Sequence, residues 1–112
     1  MANRRRGEIA ATLAGRPYTL CLTLGSLAEL EDSYGVGDLA ALGDRFGGGR
    51  LSASDLATLL RVGLAGGGCP VTANEIRAWP AACLPEMVAA AAELLAATFG
   101  DPPANPPVPQ AP

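Results

Sequence analysis

The stretch that most constrains this chain runs from Gly7 to Gly35, GEIAATLAGRPYTLCLTLGSLAELEDSYG. Ile9, Ala11 and Leu13 alternate with Glu8, Ala10 and Thr12, which is the period of a strand. Ala14-Gly15-Arg16-Pro17 then reads as a turn, with Gly15 free to take a positive φ. A second alternation follows: Tyr18, Leu20, Leu22 and Leu24 on one face, Thr19, Cys21 and Thr23 on the other. Two strands joined by a short turn make an antiparallel hairpin. A hairpin is marginal alone, so its apolar face must pack on helices. Gly25 ends the second strand, and Ser26-Leu27-Ala28-Glu29 has the form of a capping box. Leu27, Leu30 and Tyr34 give the helix that follows one buried stripe, and Gly35 stops it.

The remainder reads as helices and connectors. Asp38 caps a short helix carrying Leu39, Leu42 and Phe46, closed by Gly47-Gly48-Gly49. Ser52-Ala53-Ser54-Asp55 opens a third helix, with Leu56, Leu59, Leu60, Gly63 and Leu64 on one face and Gly66-Gly67-Gly68 at its end. Thr72-Ala73-Asn74-Glu75 is another capping box, starting a brief helix with Ile76 and Trp79. Pro85 at the first helical position starts the last helix. Its stripe is Leu84, Met87, Val88, Ala91, Leu94, Leu95 and Phe99. The expected fold is α+β, mostly α: an N-terminal two-stranded antiparallel hairpin packed on four to five short helices. Residues 1–6 read as a flexible basic arm, 7–100 as a single domain, and 101–112, DPPANPPVPQAP, as a disordered or polyproline-like tail.

Composition narrows the function. The chain has 112 residues, enough to bury a core without staples. It holds no His and no Lys; all eight basic residues are Arg, against eleven acids. Arg4, Arg5 and Arg6 form a triplet, which leaves the rest of the chain with five Arg and a net charge of −6. An acidic body disfavours broad contact with phosphate backbones, so a nucleic-acid partner is not expected. Cys21, Cys69 and Cys83 are odd in number, form no CxxC pair and have no His to complete a zinc set. Free thiols in a reducing compartment follow, hence a cytoplasmic location. The basic N-terminus is not followed by an apolar run of signal-peptide length. The low-charge run Met87–Ala92 is too short to span a bilayer, so no membrane is expected.

Catalytic chemistry finds little support. The glycine triplets lack the GxxxxGK[ST] context and a preceding strand, so they read as connectors rather than phosphate loops. Glu29 and Glu31 point apart on a helix. Without His or Lys, acid–base work would rest on Asp, Glu, Tyr or Cys, and a Cys nucleophile would lack its usual base. No enzyme activity, catalytic residue, cofactor or metal is expected. The surfaces left for a partner are the stripe of the last helix, represented by Met87, Leu94, Leu95 and Phe99, and the arm Arg4–Arg6.

One resemblance adds to this reading. Asn3-Arg4-Arg5-Arg6-Gly7-Glu8, Gly15-Arg16-Pro17-Tyr18 and Leu24–Glu31 match a known pattern, as do Arg45-Phe46-Gly47, Leu51-Ser52 and Leu64–Gly68. Over about residues 4–100 the chain resembles the gene transfer agent family of small tail proteins, grouped with phage tail assembly chaperones. The resemblance implies a non-enzymatic assembly chaperone for a phage-like tail. Its partners would be the tape measure protein and the tail tube protein, with self-association possible. The same family has also been labelled a tail tube protein, so a structural tube component is the alternative. A small regulatory nucleic-acid binder using the Arg arm is a second one. The matching residues place turns and caps; no catalytic residue comes with them.

Overall fold

A computed structural model of the chain describes residues 7–47 and 50–100. The basic arm, Gly48-Gly49 and the Pro-rich tail lie outside the described residues. The elements run β1 (Glu8–Leu13), β2 (Arg16–Cys21), α1 (Leu24–Tyr34), α2 (Leu39–Gly47), α3 (Ala53–Gly66) and α4 (Ala73–Arg77). A single 3-10 turn (Ala81–Cys83) then leads into α5 (Leu84–Phe99). The fold is α+β and mostly α, as the alternating and helical patterns imply.

β1 and β2 pair antiparallel, with Ile9 opposite Leu20 and Leu13 opposite Arg16. The turn is therefore two residues, Ala14-Gly15. Both have positive φ, 52° and 81°, which is the type I′ geometry that matches strand twist. Arg16 and Pro17, expected in the turn, belong to β2. Ile9, Leu13 and Leu20 are fully buried beneath the helices. The alternation stops earlier than the sequence suggests. β2 ends at Cys21, and Leu24 opens α1 with 77% of its surface exposed.

The cap of α1 also sits one turn earlier than expected. Thr23, not Ser26, is the N-cap: its Oγ1 accepts from the Ser26 backbone N–H at 3.1 Å. Ser26 becomes the third helical residue, buried, its hydroxyl 2.9 Å from Thr23 Oγ1. Glu29 is released from capping and pairs with Arg61 of α3 at 2.6 Å. The other side-chain caps form as read, while α5 starts at Leu84, one residue before Pro85. Asp38 Oδ1 accepts from Ala41 N–H, and complete capping boxes stand at Ser52/Asp55 and Thr72/Glu75. At the end of α1, Gly35 is left-handed, with Val36 N–H bonded to the Glu31 carbonyl. That is a Schellman stop.

α3 is the centre of the molecule. Leu56, Leu59, Leu60, Gly63 and Leu64 are all buried, with Ala57 and Val62 beside them. It packs on β2, α1, α4 and α5, so a helix read as amphipathic is covered on most sides. Its C-terminal glycines are not simple connectors. A Cβ at Gly66 would overlap the Cys21 carbonyl oxygen, and one at Gly67 would overlap that of Thr19. In a two-residue hairpin the pair flanking the loop is hydrogen-bonded, so Arg16, Tyr18 and Leu20 bond inward. The carbonyls of Thr19 and Cys21 then face outward, where the glycine end of α3 covers them. Only Gly68 plays the expected terminator, with φ 89° and Cys69 N–H bonded back to the Leu64 carbonyl.

Candidate interaction surface

α5 carries the first candidate surface. Its 16 residues hold two acids, Glu86 and Glu93, and no basic residue. The stripe expected as one surface divides into two. Ala90, Ala91 and Leu94 are buried against β1 and α3, with Met87 and Ala97 packed at the margin. Leu84, Val88 and Phe99 lie on one flank and keep 46%, 45% and 39% of their surface exposed. Half-buried Leu95 joins them at the spacing i, i+4, i+11, i+15. Phe99 stands over Gly43 of α2, where a Cβ would touch its ring at 3.6 Å. Exposed Leu39 lies one turn before Gly43, so the apolar flank continues onto α2.

Of the residues expected to meet a partner, Phe99 is exposed, and Met87 and Leu95 are half-buried. Leu94 is a correction: it is fully buried, with one methyl 2.6 Å from where a Gly63 Cβ would stand. Arg4, Arg5 and Arg6 lie outside the described residues. Leu84 and Val88 belong to the expected stripe and prove to be its exposed part. Their i, i+4 spacing was the signal, and the sequence does not show which flank α3 and β1 leave bare. The helical run is also longer than Met87–Ala92 suggested. Ala81–Phe99, at mean hydropathy 1.5, is long and apolar enough to cross a membrane by length and composition. Its buried face, 22% of that window, packs on the hairpin and α3.

The second candidate is the outer edge of β1. With Leu13 and Arg16 bonded to each other, the backbone groups of Ala10 and Thr12 face away from β2. Both residues are exposed, and among the described residues these groups make no backbone hydrogen bond. Such an edge accepts an added strand.

A polar cluster ties the helices beneath these surfaces. Asp55, 5% exposed, accepts from the Tyr34 hydroxyl at 2.9 Å, the Ser52 backbone N–H at 3.0 Å and Arg45 at 3.2 Å. Burial pushes its carboxyl up, but the Ser52 N–H, Tyr34 and Arg45 outweigh that and hold it below its ordinary value. Burial, then the bond to Asp55, pushes the Tyr34 phenol up to about 12. The Arg45 guanidinium lies 4.7 Å from the Tyr34 ring centre, and Phe46 meets that ring edge-on at 5.4 Å. Every member is engaged within the cluster, so it serves to lock α1, α2 and α3 together. In the sequence Asp55 reads only as a cap. The third feature is a groove of about 420 Å³ beside Tyr18, between the start of β2 and the segment 69–75. Among the described residues no cluster of His, Cys, Asp or Glu could hold a metal ion.

No curated protein and no solved structure matches the chain. A family model does, over residues 6–101, and its description is phage tail tube protein, GTA-gp10. The match spans the hairpin and all five helices, and on its extent this chain belongs to that family of gene transfer agent and phage tail proteins.

Proposed function

We propose that the protein is a structural component of a phage-like tail tube, joined to its neighbours through the apolar flank of α5 and the outer edge of β1. The observation that carries this reading is the family match across the whole described domain, whose description names a tail tube protein. It favours the tube role over the assembly-chaperone role that came first from sequence. The surface chemistry suits repeated self-contact. Leu84, Val88 and Phe99 give one apolar strip, and Ala10 and Thr12 give an unpaired strand edge. Partners are accordingly other tail proteins.

The chaperone reading draws on the same flank of α5, which would suit an apolar stripe on a long helical partner such as a tape measure protein. One measurement separates the two. Quantitative mass spectrometry of purified particles should find the chain in many copies per particle. Its absence from finished particles, together with improved solubility of a co-expressed tape measure protein, would overturn the tube reading in favour of the chaperone.

A further inference from the structure

The groove beside Tyr18 is lined by Arg16, Pro17, Tyr18, Pro70, Val71 and Glu75, among others. Trp79, just past α4, packs against Tyr18 with ring centres 6.2 Å apart and planes tilted by 34°. The Tyr18 ring and two prolines thus border one shallow channel, with Trp79 packed against Tyr18 next to it. Both rings carry donors, the Tyr18 hydroxyl and the Trp79 indole N–H. Among the described residues neither donor has a hydrogen-bond partner. Aromatic rings with free donors are what a polyproline helix needs. Such a helix has no internal hydrogen bonds, so its carbonyls accept from the groove while its rings stack on the aromatics.

The chain itself carries a segment of that kind. Pro103, Pro106, Pro109 and Pro112 recur at every third residue of the tail. A polyproline helix has three residues per turn, so these four prolines would form one continuous face. All four prolines lie outside the span matched by the family model, so nothing in that match accounts for their pattern.

Reach is sufficient within one molecule. Gly7 lies beside the Ala97 carbonyl, which puts the end of α5 at the open end of the hairpin. The groove begins at Arg16, next to the turn at the other end. The six residues of β1 span about 20 Å. Twelve tail residues at about 3.1 Å each reach about 37 Å. The second half of the tail is therefore long enough to reach the groove, and the tether would keep its local concentration in the millimolar range.

We propose that Pro106–Pro112 of the tail docks as a polyproline helix in the groove beside Tyr18 of its own chain, next to Trp79. Trp79 is the single Trp, and its contact with Tyr18 makes its fluorescence a reporter of the groove. The full chain is compared with a full-length variant carrying Pro103→Ser, Pro106→Ser, Pro109→Ser and Pro112→Ser. The variant should show red-shifted Trp79 emission, greater acrylamide quenching and a displaced indole N–H resonance. Adding a synthetic peptide of residues 101–112 to the variant should reverse all three. The difference between the two chains should persist on dilution. Identical spectra from the two chains would overturn the proposal. So would a difference that vanishes on dilution, which would assign the groove to the tail of a second copy.

Discussion

Gly67 stands against Thr19 so closely that a Cβ on Gly67 would overlap the Thr19 carbonyl oxygen. The obstacle is backbone at the edge of β2, which has no rotamer to change. This contact fixes the hairpin on the C-terminal end of α3, and with it the position of the bare edge of β1.

The glycines of α3 should therefore respond in a set order to alanine. Gly67→Ala or Gly66→Ala should destabilise by about 3 kcal/mol or more, because the hairpin must lift. Gly63→Ala should cost less, about 1–2 kcal/mol, since the obstruction there is the flexible end of Leu94. Gly68→Ala, with φ 89° and no neighbour within 4 Å, should cost about 1–2 kcal/mol from backbone strain alone. Urea unfolding of the four variants checks the order. Equal losses at all four positions would mean that close packing on β2 is not what selects glycine.

The Asp55 cluster should make stability fall at both extremes of pH. Asp55 titrates below its ordinary value of 3.8 when folded. Its contribution is complete above that value and is lost as pH falls through the lower folded one. Tyr34 titrates at about 12 instead of 10.0. Its contribution is complete below pH 10 and is lost as pH rises from 10 toward 12. Tyr34→Phe should abolish the alkaline loss and cost about 1.5 kcal/mol at neutral pH, the worth of a hydrogen bond to a carboxylate. Chemical denaturation of both proteins from pH 2 to 12 reads these windows.

At the hairpin turn, Ala14 holds φ 52° without the local hydrogen bonding that lets Asn occupy that region. Ala14→Asn restores the Asn-Gly pair favoured by type I′ turns and should stabilise by about 0.5–1 kcal/mol. Thermal melting should shift upward. A downward shift would exclude the two-residue turn.

The two sides of α5 should separate in a paired experiment. Leu94→Ala removes a fully buried side chain and should cost about 3 kcal/mol. Val88→Ser, on the exposed flank, should change stability by less than about 0.5 kcal/mol while weakening assembly into particles. Melting curves measure the first effect; the yield of intact tails measures the second. A Val88→Ser protein that assembles at full yield would remove the flank from the interface.

Much of this protein is written locally. Ile9 and Leu13 alternate, Ser52 and Thr72 face acids three residues on, and Leu56, Leu59, Leu60 and Leu64 recur at helical spacing. Each pattern involves neighbours within about one turn, so strand period, capping boxes and the α3 stripe are determined by sequence alone. Thr23 and Ser26 show where that stops. Either could cap α1, and the cap forms at Thr23 with Ser26 buried beside Gly66 of α3, a partner 40 positions away. Asp55 reads as a cap from its own helix, yet its burial depends on Tyr34 of α1 and Arg45 of α2 arriving together. Gly66 and Gly67 read as connectors until β2 lies across them. The stripe of α5 is apolar from one edge to the other. Which edge is core was decided only when α3 and β1 covered Leu94 and left Leu84, Val88 and Phe99 at the surface. Periodicity records which residues share a face; only the packing of distant elements decides which face is covered.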